Sequence, residues 1–214
     1  MKPRIAIVSL GLAAATSLVV LIAQAPARVL AARERRWGVQ IQPGDVIFQD
    51  LRCGERCDLI RESTHSRKTH VGIVLDEHGD RVVWEAFAPV GPTPLVEWVR
   101  RGLDEKVAIY RFTPPVRERL PDVADAVRAM RGRLYDGIYQ WDDDAIYCSE
   151  LVAKAVNQAM HSDVFKPHPI GSLGPHEARI RKLSGGCLSP GTLVVSPVDL
   201  ARSPALERLI DEVD

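Results

Sequence analysis

His70-Val71-Gly72-Ile73-Val74-Leu75-Asp76 and Arg81-Val82-Val83-Trp84-Glu85-Ala86-Phe87 are two β-branched apolar runs separated by Glu77-His78-Gly79-Asp80. Runs of this composition joined by a short, Gly-containing link predict an antiparallel hairpin. With the turn centred between His78 and Gly79, Val74 faces Val83, Gly72 faces Glu85 and His70 faces Phe87. His70 and Glu85 then share one face as diagonal neighbours, with Cβ atoms about 7–8 Å apart. An imidazole and a carboxylate can close that gap to a hydrogen bond. Gly72 leaves a slot between them where another element can pack. The opposite face, Val71, Ile73, Leu75, Val82, Trp84 and Ala86, is continuously apolar and is expected to be hidden.

The rest of the chain arranges itself around this hairpin. Before it, Asp45–Gln49 reads as a first strand, and the polar stretch between Asp50 and Thr69 as a long loop. After it, Leu95 to Arg101 reads as an amphipathic helix with Pro94 at its first position and Gly102 as its stop. Val107–Phe112 is a further strand, ended by Pro114-Pro115, and a helix is expected from about Pro121 to Arg133. A polar, aromatic stretch from Tyr135 to Tyr147 leads into a helix from Cys148 to about Met160. Gly191–Ser196 reads as a late strand and Pro204 to Val213 as a short closing helix. Strands and helices mix without regular alternation, so the fold class is α+β, a small antiparallel sheet packed against helices.

Composition bounds the function. Apolar residues make up 46% of the 214 and charged residues 26%, an ordinary globular balance that excludes disordered, collagenous and polytopic membrane chains. The 28 basic and 28 acidic residues cancel, so no nucleic-acid partner is expected. Lys2 and Arg4 precede the apolar stretch Ile5 to Ala25, which closes on Ala23-Gln24-Ala25 and Ala25-Pro26-Ala27, the form of a secretory signal. At about 21 residues it is also long enough for an uncleaved anchor, attaching the chain to a membrane through residues 5–25. Residues 1–27 are therefore read as signal peptide or anchor and residues 37–214 as the exported domain, in the periplasm or facing it. Arg33, Arg35 and Arg36 beyond the segment weigh against simple translocation.

Four cysteines remain to be placed. Cys53 and Cys57 can close a small loop through Gly54, or either can pair with Cys187. Cys53-x3-Cys57 followed by His65-x4-His70 also leaves a zinc site open, although the intervening spacing is short for a finger. Cys148 differs in context. In Tyr147-Cys148-Ser149-Glu150-Leu151-Val152 it falls at a helix start, with Asp142 to Asp144 just before it and Leu151, Val152, Ala155 and Val156 as the buried stripe. Unpaired N–H groups and the helix dipole there favour a thiolate and can receive an oxyanion. A nucleophile, a base and a group that holds the base need to meet in space, not in chain order. Cys148, His70 and Glu85 supply those three chemistries.

Gly44-Asp45-Val46-Ile47-Phe48, Thr69-His70-Val71-Gly72-Ile73-Val74, Trp84-Glu85-Ala86 and Tyr147-Cys148-Ser149-Glu150-Leu151-Val152, in this order, resemble the permuted papain-like cysteine hydrolases, the YiiX-type members of the NlpC superfamily. Pro94-Leu95-Val96-Glu97-Trp98 and Tyr135-Asp136 fit the same pattern, which covers about residues 42–160. The resemblance implies a papain-like core, circularly permuted so that the histidine strand precedes the cysteine helix. It implies Cys148 as nucleophile, His70 as base and Glu85 as the residue orienting His70, with Tyr147 as oxyanion donor or packing support and no cofactor. Relatives in that superfamily act on cell-wall peptides or on lipid acyl groups, so the expected substrate is a cell-envelope peptide or acyl-amide. Acyl transfer and non-enzymatic ligand binding are the alternatives. The resemblance gives no role to Cys53, Cys57 or residues 161–214.

Overall fold

The structure, a computed structural model, describes residues 28–171 and 174–214. The expected signal or anchor at 1–27 lies outside the described residues. The chain divides into two units, Met1–Gln40 and Ile41–Asp214. In the first, residues 28–37 are helical (α1). Among the described residues no helix is long and apolar enough to cross a membrane.

The second unit runs β1 (Val46–Gln49), α2 (Glu55–Thr64), β2 (His70–Glu77), β3 (Asp80–Glu85), β4 (Gly91–Pro94), α3 (Leu95–Arg101), β5 (Ala108–Phe112), α4 (Pro114–Arg117), α5 (Leu120–Ala129), β6 (Leu134–Tyr135), β7 (Ala145–Ile146), α6 (Cys148–Met160), β8 (His168–Pro169), α7 (Glu177–Leu183), β9 (Leu193–Val194), α8 (Pro197–Arg202) and β10 (Leu206–Asp211). Six strands form one sheet in the order β10-β5-β1-β2-β3-β4, and every neighbouring pair is antiparallel. The hairpin has the register its sequence predicts, Val74 opposite Val83 and Ile73 opposite Trp84. Val71, Ile73 and Trp84 join Val123 and Val127 of α5 and Leu151, Val152, Ala155 and Val156 of α6 in the main core. Helix α6 packs on β2 and α5, which brings the start of α6 to the strand that carries His70. The other face of the hairpin is covered as well. Val74 and Val83 are fully buried there, and α3 packs against β3 and β4. The slot expected at Gly72 is filled by β3 itself, since a Cβ at that position would lie 2.4 Å from Val83 Cγ1 and 2.8 Å from the Trp84 carbonyl oxygen.

Several expectations need correction. The stretch from Asp50 to Thr69 is not a loop throughout, because it contains α2. That helix buries Cys57 and shows no apolar stripe, so hydrophobic periodicity could not reveal it. It is held from outside, by Arg61 donating to Asp50 (2.8 Å) and to the Leu51 carbonyl (2.7 Å). The closing stretch is not a helix but the edge strand β10. Leu206, Leu209, Ile210 and Val213 stand at helical spacing, yet a bulge between Arg208 and Ile210 lets the segment pair with β5. Pro94 sits just before α3 as its cap, because Gly91–Pro94 is already committed to pairing with β3. The late strand shrinks to Leu193–Val194, paired with β8, and the helix expected to reach Arg133 ends at Ala129.

Candidate active site

Cys148 is the first residue of α6, preceded by Tyr147 in extended conformation. The turn into the helix is fixed at three points. Glu150 Oε2 accepts from the Tyr147 N–H (3.2 Å), Ser149 Oγ donates to the Val195 carbonyl (2.6 Å), and the Tyr147 hydroxyl accepts from the Val195 N–H (3.1 Å). The hydroxyl of Tyr147 thus ties the helix start to the chain just beyond β9. Glu150 is buried, and that burial raises its pKa to about 7 against the pull of Lys154, whose Nζ lies 2.9 Å from Oε1 without hydrogen-bond alignment. Cys148 itself is 3% exposed and is a free thiol. Its N–H, at the first helical position, falls outside the helix's own hydrogen-bond ladder.

His70 is the first residue of β2, beside the start of α6, and Glu85 is the last of β3. The imidazole Nε2 is 2.5 Å from Glu85 Oε2. With Nε2 committed to the carboxylate, Nδ1 is the nitrogen left for Cys148, whose electrostatic influence on the ring raises the His70 pKa. The structure thus brings Cys148, His70 and Glu85 together. Glu85 is enclosed by donors. Thr93 Oγ1 donates to Oε1 (2.6 Å), while Trp98 Nε1 (3.1 Å) and Arg101 Nη2 donate to Oε2, the oxygen that also meets His70. Trp98 further stacks on His70, centroids 6.1 Å apart at 29°. Two residues of α3, three apart on one helical face, therefore hold the acid and one side of the base. In the sequence Trp98 stands out only within the Pro94–Trp98 motif, and nothing there marks Thr93 or Arg101 as partners of Glu85. The β3–β4 pairing that delivers Thr93 left no periodic signal.

Burial disfavours charge on both partners, yet the pair overcomes it. For His70, burial opposes protonation, but the charge and hydrogen bond of Cys148, then those of Glu85, raise its pKa to about 9. For Glu85, burial opposes ionisation, and the hydrogen bond and charge of His70 with those of Arg101 bring it down to about 2. The site is built for an imidazolium backed by a carboxylate. Tyr135 and Tyr139 are half-buried near the start of α6, and each is raised above its ordinary value by burial first and also by the charge of Cys148. Tyr139 meets the Tyr147 ring edge-on at 5.5 Å. On the His70 side, Phe87 is 47% exposed, lies 5.9 Å from the imidazole, and has Arg101 over its face at 4.1 Å.

The other expected residues fall elsewhere. Cys53 and Cys57 are joined to each other in a disulfide, which removes them as zinc ligands, and Cys187 is free and exposed. His65 ends α2 in a left-handed conformation.

A cysteine at a helix start, a histidine on the neighbouring strand and a carboxylate behind it, with the histidine first in the chain, are the parts of a permuted papain-like cysteine hydrolase. The chain belongs to the family described as permuted papain-like amidase enzyme, YaeF/YiiX, C92 family, whose model matches residues 40–210. It is 29% identical over 178 residues to the uncharacterized protein YiiX of Escherichia coli K12, covering 81% of this chain and 88% of that one. It also resembles the crystal structure of metalloprotein YiiX from Escherichia coli O157:H7, with a TM-score of 0.74 and 28% identity over 82% of this chain and 99% of that one.

Proposed function

We propose that this chain hydrolyses an amide bond through a thioacyl-enzyme intermediate. The observation that carries the reading is the position of His70, between the Cys148 sulfur and the Glu85 carboxylate. In the first half-reaction the thiol proton is already held by the His70 imidazolium and the sulfur attacks the amide carbonyl carbon. The resulting oxyanion is received by the Cys148 N–H at the helix start. His70 then gives its proton to the leaving amine as the C–N bond breaks, leaving a thioester on Cys148. Water, deprotonated by His70, attacks that thioester and releases the acid, and the thiol is regenerated. Glu85 keeps its charge throughout and holds the ring's tautomer.

The substrate class is a cell-envelope peptide or acyl-amide, reached by export through residues 1–27. Phe87, an exposed aromatic beside the base, supports a substrate with an apolar group next to the scissile bond. The structural relative is named a metalloprotein. Among the described residues of this chain no group of three or more His, Cys, Asp or Glu side chains converges as ligands, so the donors do not fit such a centre and no step is routed through one. The test is alkylation of the purified protein by iodoacetamide across pH, with the label located by peptide mapping. Cys148 is expected to react faster than an ordinary thiol near neutral pH and to lose that advantage in His70→Ala. Equal rates would end the reading. Cell-wall peptides and acyl-amides, offered in parallel, then separate the substrates.

A further inference from the structure

The Cys53–Cys57 disulfide takes no part in the chemistry above, and neither does Arg56, one of the three residues it encloses. The bond spans the start of α2, joining exposed Cys53 outside the helix to buried Cys57 within its first turn. The helix is capped by Gly54, which has no side chain to accept from the first N–H groups. A helix of ten residues is marginal by itself. Here a covalent link fixes the first turn where a capping side chain would otherwise do so.

Arg56 points from that clamped turn to the chain just ahead of the nucleophile. Its Nη1 donates to the Gly137 carbonyl at 2.7 Å across 81 residues of sequence, two residues ahead of Tyr139. Gly137 makes room for it, because a Cβ there would lie 2.5 Å from Arg56 Nη1. The segment from 136 to 140 hangs from buried Asp136, which accepts the N–H groups of Ile138 (2.7 Å) and Gln140 (2.5 Å). It carries Tyr139 at φ 56°, a left-handed conformation that a tyrosine adopts at a cost. Asp136 restrains this turn from within and Arg56 from outside. Tyr139 meets the ring of Tyr147, the residue just before Cys148, edge-on at 5.5 Å, and Tyr135 packs against the core cluster that contains Cys148.

We propose that Arg56, clamped by the Cys53–Cys57 disulfide, is a positioning residue that fixes the Tyr135–Tyr139 wall and so limits the bulk admitted to Cys148. The proposal rests on Cys148 being the reactive group, and deepens that reading by giving the site a selectivity element. Its test uses the full chain with Cys187→Ser, so that one exposed thiol is removed, and two probes, iodoacetamide and the bulkier N-phenylmaleimide. In Arg56→Met, in Gly137→Ala and in the pair Cys53→Ser with Cys57→Ser, the iodoacetamide rate and its pH profile stay within about twofold of the parent. The N-phenylmaleimide rate rises about fivefold, the scale of one typical intramolecular hydrogen bond. Arg56→Lys, which keeps a donor for the Gly137 carbonyl, stays near the parent. Adding Arg56→Met to the serine pair gives no further rise, because both remove the same restraint. An unchanged ratio of the two rates in Arg56→Met and Gly137→Ala would overturn the proposal, as would effects that multiply. If the serine pair does not fold, those two variants decide. Failure of the hydrolase reading shows separately, as slow iodoacetamide labelling in the parent that ignores His70.

Discussion

Replacing Glu85 by glutamine isolates the charge behind His70. The amide can place its oxygen where Oε2 now accepts from His70, Trp98 and Arg101, and turn its NH2 toward the Thr93 hydroxyl, which accepts as readily as it donates. The hydrogen bonds survive and the negative charge does not. Glu85 is held at about 2 against an ordinary 4.5, which corresponds to about 3 kcal/mol of preference for the ionised form. His70, raised from 6.5 to about 9, records the same pair from the other side together with Cys148, so the two figures are not summed. Without the carboxylate, burial gains on the imidazolium and His70 should fall by about 1–2 pH units. A depressed acid stabilises the fold above its ordinary value and loses that contribution as pH falls from 4.5 toward 2. A raised histidine stabilises below 6.5 and loses its contribution as pH climbs to about 9. Stability should therefore peak between pH 4.5 and 6.5, and Glu85→Gln should flatten both limbs while costing about 3 kcal/mol at the peak. The assay is NMR titration of the His70 ring, assigned with His70→Gln, alongside chemical denaturation at several pH values. A His70 inflection that stays near 9 in Glu85→Gln would refute the reasoning.

Gly72→Ala places a methyl group 2.8 Å from the Trp84 carbonyl oxygen, backbone that cannot move aside, and should cost about 2–3 kcal/mol in thermal or urea unfolding. Trp98→Phe keeps a ring on His70 and removes the donor to Glu85 Oε2. Once a substrate is found, kcat should fall about fivefold with KM nearly unchanged, consistent with one lost hydrogen bond. Lys68 is buried between Asp211 (2.7 Å) and Asp214 (2.6 Å). Lys68→Met should destabilise by about 3 kcal/mol in urea unfolding, because it leaves the nearly buried Asp211 carboxylate without its cation, whereas Asp211→Ala should cost less, because Lys68 keeps Asp214.

The parts of the site that were legible in the sequence are those written in local periods. The alternation of β2 and β3 gave the register that puts His70 and Glu85 on one face, and the stripe of α6 placed Cys148 at a helix start. What stayed hidden depends on distant partners. Helix α2 has no apolar stripe and is held by a disulfide and by Arg61. Strand β10 has an apolar spacing that suits a helix better, and pairing with β5 overrides it. Thr93, Trp98 and Arg101 surround Glu85 because β4 and α3 turn back on the hairpin, a tertiary event that no single segment announces.

The missed residues share a chemistry, and it gives the neutral composition a different meaning. Three carboxylates are buried in or beside the sheet, and each is met by arginine. Asp45 takes two bonds from Arg111 (2.7 and 2.9 Å), Asp50 is reached by Arg61 and Arg67, and Glu85 is reached by Arg101. Equal numbers of acids and bases suggested a surface without preference for any partner. In the structure part of that balance is internal, held in buried carboxylates and the planar guanidinium groups that bond them. Two of the three pairs anchor structure, at the first strand and at the entry to α2. The third shares its oxygen with His70. A pairing that elsewhere secures the fold is there held close to a proton carrier, and the same cation that keeps Glu85 ionised competes with His70 for it. The His70–Glu85 pair is in this sense a structural ion pair of this protein with one arginine's place taken by histidine, and its basicity depends on how much of Oε2 Arg101 holds.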